Sequence, residues 1–219
     1  MKTIIFDLDG TLIHSAPDLH ASANKMLADE GHAPVSLDLI TSFIGNGVPR
    51  LVELVIGHCG LDMADHDRLV ASYLAYIGAS PVDLTELYPN LEAALIDLKA
   101  AGYTLGVCTN KPEAPARQIL DLLDLTQYFD VIIGGDALPV KKPDPAPLIK
   151  AFSDVDASEK LYVGDSEVDA ETARAAGIDF ALFTEGYRKT PIANMPHKYS
   201  FSDFAQFGAI AKTAFAGGS

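Results

Sequence analysis

The stretch that decides the fold runs from Thr3 to Leu12 and reads TIIFDLDGTL. A threonine and three apolar residues come first, and Asp7, Asp9 and Gly10 follow them at once. A short apolar run bounded by turn residues predicts a buried strand that ends in a polar loop. Similar runs recur further along the chain at 104–108, 131–133, 161–163 and 180–183.

Helical patterns separate the later strands. Leu91, Leu95 and Leu98 follow each other at helical spacing, and comparable patterns occur around 119–123 and 168–176. Strands that alternate with helices in this way are typical of a parallel sheet covered on both faces. The sequence therefore predicts an α/β fold with a doubly wound parallel sheet.

The chain between the first two strands is too long for a single crossover. It spans roughly seventy residues, and helical patterns begin in it near Ser15, Val48 and Leu69. We therefore predict that a helical cap is inserted there. The expected bounds are 15–82 for the cap, and 1–14 together with 83–219 for the catalytic core.

Polar residues follow the predicted strands where each strand ends. In a doubly wound sheet, ligands bind outside the carboxyl ends of the strands. Asp7, Asp9 and Asp165 would repel one another at this edge unless a divalent cation lay between them. Hard oxygen ligands of this kind favour Mg²⁺ over softer metals. The strand ends therefore predict a magnesium site.

The same edge offers groups that could receive a phosphate. The expected donors are the backbone amides of Gly10, Thr11 and Asn110, the hydroxyl of Thr109 and the ammonium of Lys142. Each motif alone is more often a turn or a helix cap. Their occurrence together at successive strand ends predicts a phosphoryl site.

As an ordered set, the motifs resemble those of the haloacid dehalogenase superfamily. The four corresponding segments here are 7–12, 109–110, 142–143 and 164–169. The resemblance covers nearly the whole chain. It implies a Rossmann-like core with a helical cap inserted just after the first motif, which agrees with the architecture read from the strand pattern.

The resemblance also implies roles for the strand-end residues. Asp7 would attack phosphorus and form an aspartyl-phosphate, while Asp9 would act as general acid and then general base. Lys142 would balance the charge of the nucleophile and the phosphate. The Asp7 carboxylate, the Asp9 main-chain carbonyl and Asp165 would hold Mg²⁺. Asp169 would support the metal directly or through water.

Within this superfamily the chain looks like bacterial phosphoglycolate phosphatases. The similar segments are 15–19, 109–112 and 142–148, and Lys111 in the second of them is an expected substrate-binding residue. The implied substrate is 2-phosphoglycolate, a small phosphorylated metabolite. An inorganic pyrophosphatase, a sugar-phosphate phosphatase or a β-phosphoglucomutase would keep the same motifs, so these alternatives stay open. A non-catalytic phospholigand-binding module is disfavoured, because a binder needs neither Asp7 nor Asp9.

The cap is expected to supply substrate specificity. In the segment 45–50 the glycines permit a close loop, and Asn46 and Arg50 are the expected substrate contacts, with Arg50 offering a fork for a carboxylate. The alternative is that Arg50 decorates a helix surface. One departure from the resembled family is His14, which stands beside the cap hinge where an acidic residue is common.

Composition limits the classes of partner. The formal net charge is −14 and no basic run interrupts it, which argues against nucleic acid and against an anionic membrane surface. Only Cys59 and Cys108 could form a disulfide, and Cys108 falls within a predicted buried strand. We therefore expect a cytoplasmic protein, as a monomer or a homodimer.

Overall fold

The structure is a computed structural model that describes residues 1–216. Its strands are β1 (Lys2–Phe6), β2 (Ile13–His14), β3 (Glu86–Leu87), β4 (Thr104–Cys108), β5 (Val131–Ile133), β6 (Glu159–Gly164), β7 (Asp179–Phe183) and β8 (Tyr199–Phe201). Six of them form one parallel sheet in the order β5-β4-β1-β6-β7-β8. This arrangement confirms the predicted α/β fold with a parallel sheet.

The helices precede, connect and cover these strands. They are α1 (Ala16–Asp29), α2 (Leu37–Phe43), α3 (Val48–Cys59), α4 (His66–Ala79), α5 (Leu91–Ala100), α6 (Glu113–Leu122), α7 (Ala146–Ser153), α8 (Glu167–Ala176) and α9 (Phe207–Ala214). Among the described residues, no helix has both the length and the apolar character needed to cross a membrane.

The central position of β1 places its carboxyl end at the switch point of the sheet. β1 pairs with β4 on one side and with β6 on the other. After β1 the chain adds strands first on the β4 side and then on the β6 side. Ligands bind at such a reversal of strand order, so Asp7, directly after β1, lies where a site is expected.

Apolar side chains on both faces of the sheet explain why β1 is buried from Thr3 to Phe6. Ile4 and Phe6 belong to a hydrophobic cluster with α5, α6 and α9, whereas Ile5 belongs to a cluster with α7 and α8. Alternate residues of a strand point to opposite faces, so a strand covered on both faces reads as a continuous apolar run.

Helices α1 to α4 pack around a hydrophobic cluster of their own, which includes Leu27, Val52 and Tyr73. Two chain crossings join these helices to the sheet, and the short antiparallel pair β2–β3 lies on them. The Asp18 carboxylate in α1 accepts hydrogen bonds from the Leu84 backbone N–H and from the Thr85 hydroxyl at 2.6 Å. Division into a core and a cap at 14/15 and 82/83 stays a prediction.

Candidate active site

The loop after β1 carries the first motif in a conformation that requires glycine. Gly10 has φ +90°, and a Cβ at this position would lie 2.5 Å from Asp165 Oδ2. The Gly10 N–H donates to the Ile13 carbonyl and the Thr11 N–H donates to the Leu8 carbonyl. In the structure these two amides hold the loop together, and their contact with phosphate stays a prediction.

Three buried carboxylates meet below this loop. Asp7, Asp165 and Asp169 each offer an oxygen atom, and these atoms lie within 4.8 Å of one another. Asp165 is fixed from two sides, because its Oδ1 accepts from the Thr11 hydroxyl at 2.8 Å and its Oδ2 accepts from the Tyr187 N–H at 2.6 Å. Burial, followed by repulsion from Asp169 and Asp7, raises the pKa of Asp165 well above its usual value.

Both carboxylate oxygens of Asp169 accept hydrogen bonds. Its Oδ1 accepts from Lys142 Nζ and from the Tyr162 hydroxyl, each at 2.7 Å. Its Oδ2 accepts from the Ser166 hydroxyl at 2.6 Å and completes a capping box at the start of α8. Burial opposes ionisation of Asp169, but Lys142 and these hydrogen bonds lower its pKa. Its contacts favour a role in positioning Lys142.

Lys142 is a buried cation that faces two carboxylates. Its Nζ lies 2.9 Å from Asp7 Oδ1 and 2.7 Å from Asp169 Oδ1, and it also donates to the Tyr162 hydroxyl at 2.8 Å. Burial alone would lower the pKa of Lys142, but the two carboxylates outweigh burial and raise it. Lys142 therefore stays charged, with its three donor directions directed at these partners.

One oxygen of the Asp7 carboxylate lacks a well-directed hydrogen-bond donor within the described residues. Its Oδ1 is buried and accepts no well-directed hydrogen bond within residues 1–216, although Lys142 approaches it as an ion pair. Burial and the nearby Asp169 raise the pKa of Asp7 to about 7, against the lowering effect of Lys142. A hard divalent cation fits this arrangement, because it would offset the repulsion among the carboxylates and take up a free carboxylate oxygen.

Asp9 belongs to a different set of contacts from Asp7. Its Oδ1 accepts from the Ser15 hydroxyl at 2.6 Å and from Lys111 Nζ at 2.9 Å. The side chain lines the same cavity as Asp7 and does not belong to the cluster of Asp7, Asp165 and Asp169. The two motif carboxylates therefore have different partners, and their catalytic roles stay a prediction.

The loop after β4 connects the sheet to the helical region. The Asn110 side-chain amide donates to the Gly45 carbonyl in the loop before α3 at 2.9 Å, and to the Lys142 carbonyl at 3.0 Å. The Thr109 hydroxyl accepts from the Lys111 N–H at 3.2 Å. Asn110 thereby fastens the loop that carries Gly45 over the carboxyl ends of the strands.

A cavity of about 50 Å³ lies between this loop and the strand ends. Its polar floor is formed by Asp7, Asp9, Thr109, Asn110 and Lys111. Its opposite side is formed by the glycines at 45 and 47 and by an apolar roof, the name we use for Leu19, Ile44, Val48 and Leu51. The space suits a small ligand with a polar end and a short remainder.

Two predicted contacts are not brought to the cavity. Arg50 is about half exposed and pairs with Glu53 at 2.6 Å on the surface of α3. Val48 and Leu51 are three residues apart and face the cavity, so Arg50 projects from a different side of the helix. Asn46 does not line the cavity either.

Several residues that position the site were not expected from the sequence. Gly186 lies so close to Asp165 that a Cβ there would meet the Asp165 Cβ at 2.3 Å. Tyr187 supplies the N–H donor to Asp165, and its hydroxyl accepts from the Ala16 N–H at 3.0 Å and lies 3.1 Å from His14 Nδ1. His14 therefore contacts Tyr187 at the hinge and does not reach the carboxylate cluster directly.

The sequence of this chain is similar to those of known proteins. The family model described as haloacid dehalogenase-like hydrolase matches residues 4–183. A phosphoglycolate phosphatase of Cereibacter sphaeroides is 53% identical over 204 residues, covering 92% of this chain and 94% of the relative. One from Rhodobacter capsulatus is 41% identical over 215 residues, covering 95% and 96%.

A solved structure shares the same architecture. It is described as a predicted phosphoglycolate phosphatase from Haemophilus somnus, and it superposes with a TM-score of 0.91 at 34% sequence identity. The match covers 96% of this chain and 97% of the other. The fold and the inserted helices are therefore common to both proteins.

Proposed function

This chain belongs to the haloacid dehalogenase-like hydrolases, and from that premise we propose that it hydrolyses 2-phosphoglycolate to glycolate and phosphate, with Mg²⁺ as cofactor and Asp7 as nucleophile. The observation that carries the proposal is the buried Asp7 carboxylate, held by Lys142 beside Asp165 at the switch point of the sheet. Relatives at 53% and 41% identity that are named phosphoglycolate phosphatases support this choice of substrate.

The first half-reaction transfers the phosphoryl group to the enzyme. An oxygen of Asp7 attacks phosphorus, a bond forms between them, and the ester P–O bond breaks. Asp9 gives its proton to the leaving oxygen, so that glycolate departs as an alcohol. A bound divalent cation, held by Asp7, the Asp9 carbonyl and Asp165, would neutralise charge on the phosphate oxygens.

The second half-reaction restores the enzyme. Water attacks phosphorus, Asp9 accepts a proton from that water, and the bond between phosphorus and Asp7 breaks to release inorganic phosphate. Asp9 is suited to both steps by position, because Ser15 and Lys111 hold its carboxylate at the cavity surface. Lys142 stays charged throughout and balances Asp7 and the phosphate.

The roof shields the aspartyl-phosphate from bulk water until glycolate leaves. The Asn110 to Gly45 hydrogen bond fastens the cap loop over the strand ends, and the roof residues present aliphatic surface to the reaction space. Closure of this kind excludes bulk water and strengthens electrostatic interactions within the site.

A substrate panel tests the proposal. Phosphate release is measured with Mg²⁺ or with EDTA for 2-phosphoglycolate, pyrophosphate, glucose 6-phosphate and β-glucose 1-phosphate. We expect Mg²⁺-dependent turnover that is fastest, by kcat/KM, on 2-phosphoglycolate. A ranking led by pyrophosphate or by a sugar phosphate overturns the substrate assignment, and no Mg²⁺-dependent turnover of any phosphoester overturns the phosphatase assignment.

Two finer points belong to the same proposal. Mg²⁺ is preferred over softer metals such as Cu²⁺ and Zn²⁺ because every donor in the cluster is a carboxylate oxygen. A cytoplasmic location agrees with free thiols at both Cys59 and Cys108.

A further inference from the structure

The cavity above Asp7 and Asp9 contains one cationic side chain. Within the described part of the chain, Lys111 is the only lysine or arginine among the residues that line it. The roof offers aliphatic carbon and no charge. Among the residues that line the cavity, Lys111 is therefore the cationic partner for an acid group on the part of the substrate that is not transferred. Lys141 Nζ lies near Gly47, 3.5 Å from where a Cβ would stand, but Lys141 is not part of the lining.

The position of Lys111 suits the binding of a ligand, because its ammonium group lies inside the protein and not on the surface. Its side chain is only 8% exposed, and its Nζ lies 2.9 Å from Asp9 Oδ1. An ammonium has three donors, and Asp9 takes one of them. Lys142, in contrast, already faces Asp7, Asp169 and the Tyr162 hydroxyl. Lys111 is thus the site's cation with donors left for a ligand.

Lys111 lies close to the position that the leaving oxygen of a two-carbon acid ester would take beside Asp9. Asp9 must lie at hydrogen-bond distance, about 2.7 Å, from the leaving oxygen to give it a proton. In 2-phosphoglycolate a single CH₂ group separates that oxygen from the carboxylate carbon. A group bound next to the Asp9 oxygen, as Lys111 Nζ is, therefore lies within reach of this carboxylate.

The geometry points to a specificity role: we propose, on the basis of the proposed function, that Lys111 binds the substrate carboxylate and selects phosphate esters with an acid group one carbon from the ester oxygen. Longer or hydroxyl-rich alcohols would place polar groups against the roof, where they lose water without gaining a partner. Arg50, the other candidate, would have to leave Glu53 and turn around the helix to reach the cavity.

Two esters that differ in the carboxylate separate the effect of Lys111 on the substrate from its effect on Asp9. Ethyl phosphate keeps the length of 2-phosphoglycolate but replaces the carboxylate by a methyl group. kcat/KM is measured for both esters with the wild type, Lys111→Met, Lys111→Gln and Arg50→Met. Lys99→Met is the matched control, because Lys99 also pairs with an aspartate, Asp130 at 2.8 Å, but lies away from the cavity.

We expect the wild type and Lys99→Met to prefer 2-phosphoglycolate strongly. Lys111→Met and Lys111→Gln should reduce that preference by at least about 30-fold, whatever loss both esters share through Asp9. Circular dichroism and thermal melting show whether each variant is folded, and the two Lys111 variants give independent readings.

Three results would contradict the inference, and they are distinguishable. If both Lys111 variants slow the two esters equally, Lys111 acts only through Asp9. If Arg50→Met removes the preference and the Lys111 variants keep it, the receptor is Arg50. If the wild type itself shows no preference for 2-phosphoglycolate, the proposed function fails together with the inference.

Discussion

The Nζ atom of Lys142 lies 2.9 Å from Oδ1 of Asp7, and both side chains are buried. The pair joins the ends of β1 and of the segment after β5, so its formation requires the sheet to be assembled. Because that oxygen accepts no well-directed hydrogen bond within residues 1–216, we expect the orientation of the nucleophile to depend on its ion pair with Lys142.

Replacing Lys142 by methionine should impair both stability and activity. The change leaves Asp7 and Asp169 buried without their counter-ion, so we expect the free energy of unfolding in metal-free buffer to fall by about 3–5 kcal/mol. kcat should fall by at least about 100-fold. Urea unfolding and phosphate release measure the two effects. Lys150→Met, which removes an exposed pair with Asp154, should cost less than about 1 kcal/mol. A stable and active Lys142→Met enzyme would contradict the role assigned to the pair.

Gly186→Ala should weaken metal binding without unfolding the protein. A Cβ at Gly186 would come within 2.3 Å of the Asp165 Cβ and of the Gly10 carbonyl oxygen, so Asp165 must shift. We expect the Kd for Mg²⁺, measured by calorimetry, to rise by at least about tenfold. The control is Gly57→Ala in α3, where a Cβ meets nothing within 4 Å. Unchanged Mg²⁺ affinity in Gly186→Ala would rule out Asp165 as a metal ligand.

The stabilising effect of Mg²⁺ should increase with pH. The folded-state pKa of Asp7 is about 7, above the ordinary value of 3.8, so without metal the folded protein binds more protons than the unfolded chain between these values. Stability of the metal-free protein from this group is therefore present at low pH and falls as pH rises through about 7. Mg²⁺ competes with those protons, so its affinity should be about tenfold higher at pH 8 than at pH 6.

Differential scanning fluorimetry checks this dependence. The rise in Tm caused by a fixed Mg²⁺ concentration is compared at pH 6 and pH 8. A larger rise at pH 8 is expected. An equal or smaller rise at pH 8 means that Asp7 does not exchange its proton for the metal.

Asn110→Ala should loosen the cap loop. The substitution removes hydrogen bonds to the Gly45 and Lys142 carbonyls. We expect KM for the substrate to rise by roughly fivefold, because losing the hydrogen bond to Gly45 weakens the closed form by about 1 kcal/mol. Steady-state kinetics measure this change, with the exposed Asn194→Ala as control. An unchanged KM would show that the Asn110 contact does not hold the closed state.

Much of the sheet could be predicted because its strands are buried on both faces. The apolar runs at 104–108 and 131–133 coincide with β4 and β5. The elements at the edge of the sheet and in the inserted helical region were harder to predict. β8 spans three residues, of which only Phe201 is buried, and α2 buries only Ile40. Elements with one buried residue carry no periodic signal.

The sequence predicts those site residues that lie at the ends of strands. It does not predict which side chains of a helix face the site, because that depends on the rotation of the helix about its axis. Asp7, Lys142 and Asp165 meet because parallel strands bring their carboxyl ends together. The direction of Arg50 instead depends on how α3 packs, which the segment 45–50 does not reveal. Our prediction considered no residues after β7, although the same rule applied to that strand end indicates Gly186 and Tyr187.

We propose that Asp7 attacks the phosphate of 2-phosphoglycolate. The most direct test compares Mg²⁺-dependent phosphate release from this ester by the wild type and by Asp7→Asn, with circular dichroism to show that both are folded. We predict turnover by the wild type and a loss of at least about 1,000-fold in Asp7→Asn, which is isosteric but cannot form the aspartyl-phosphate. A folded Asp7→Asn enzyme that retains wild-type turnover would contradict the account.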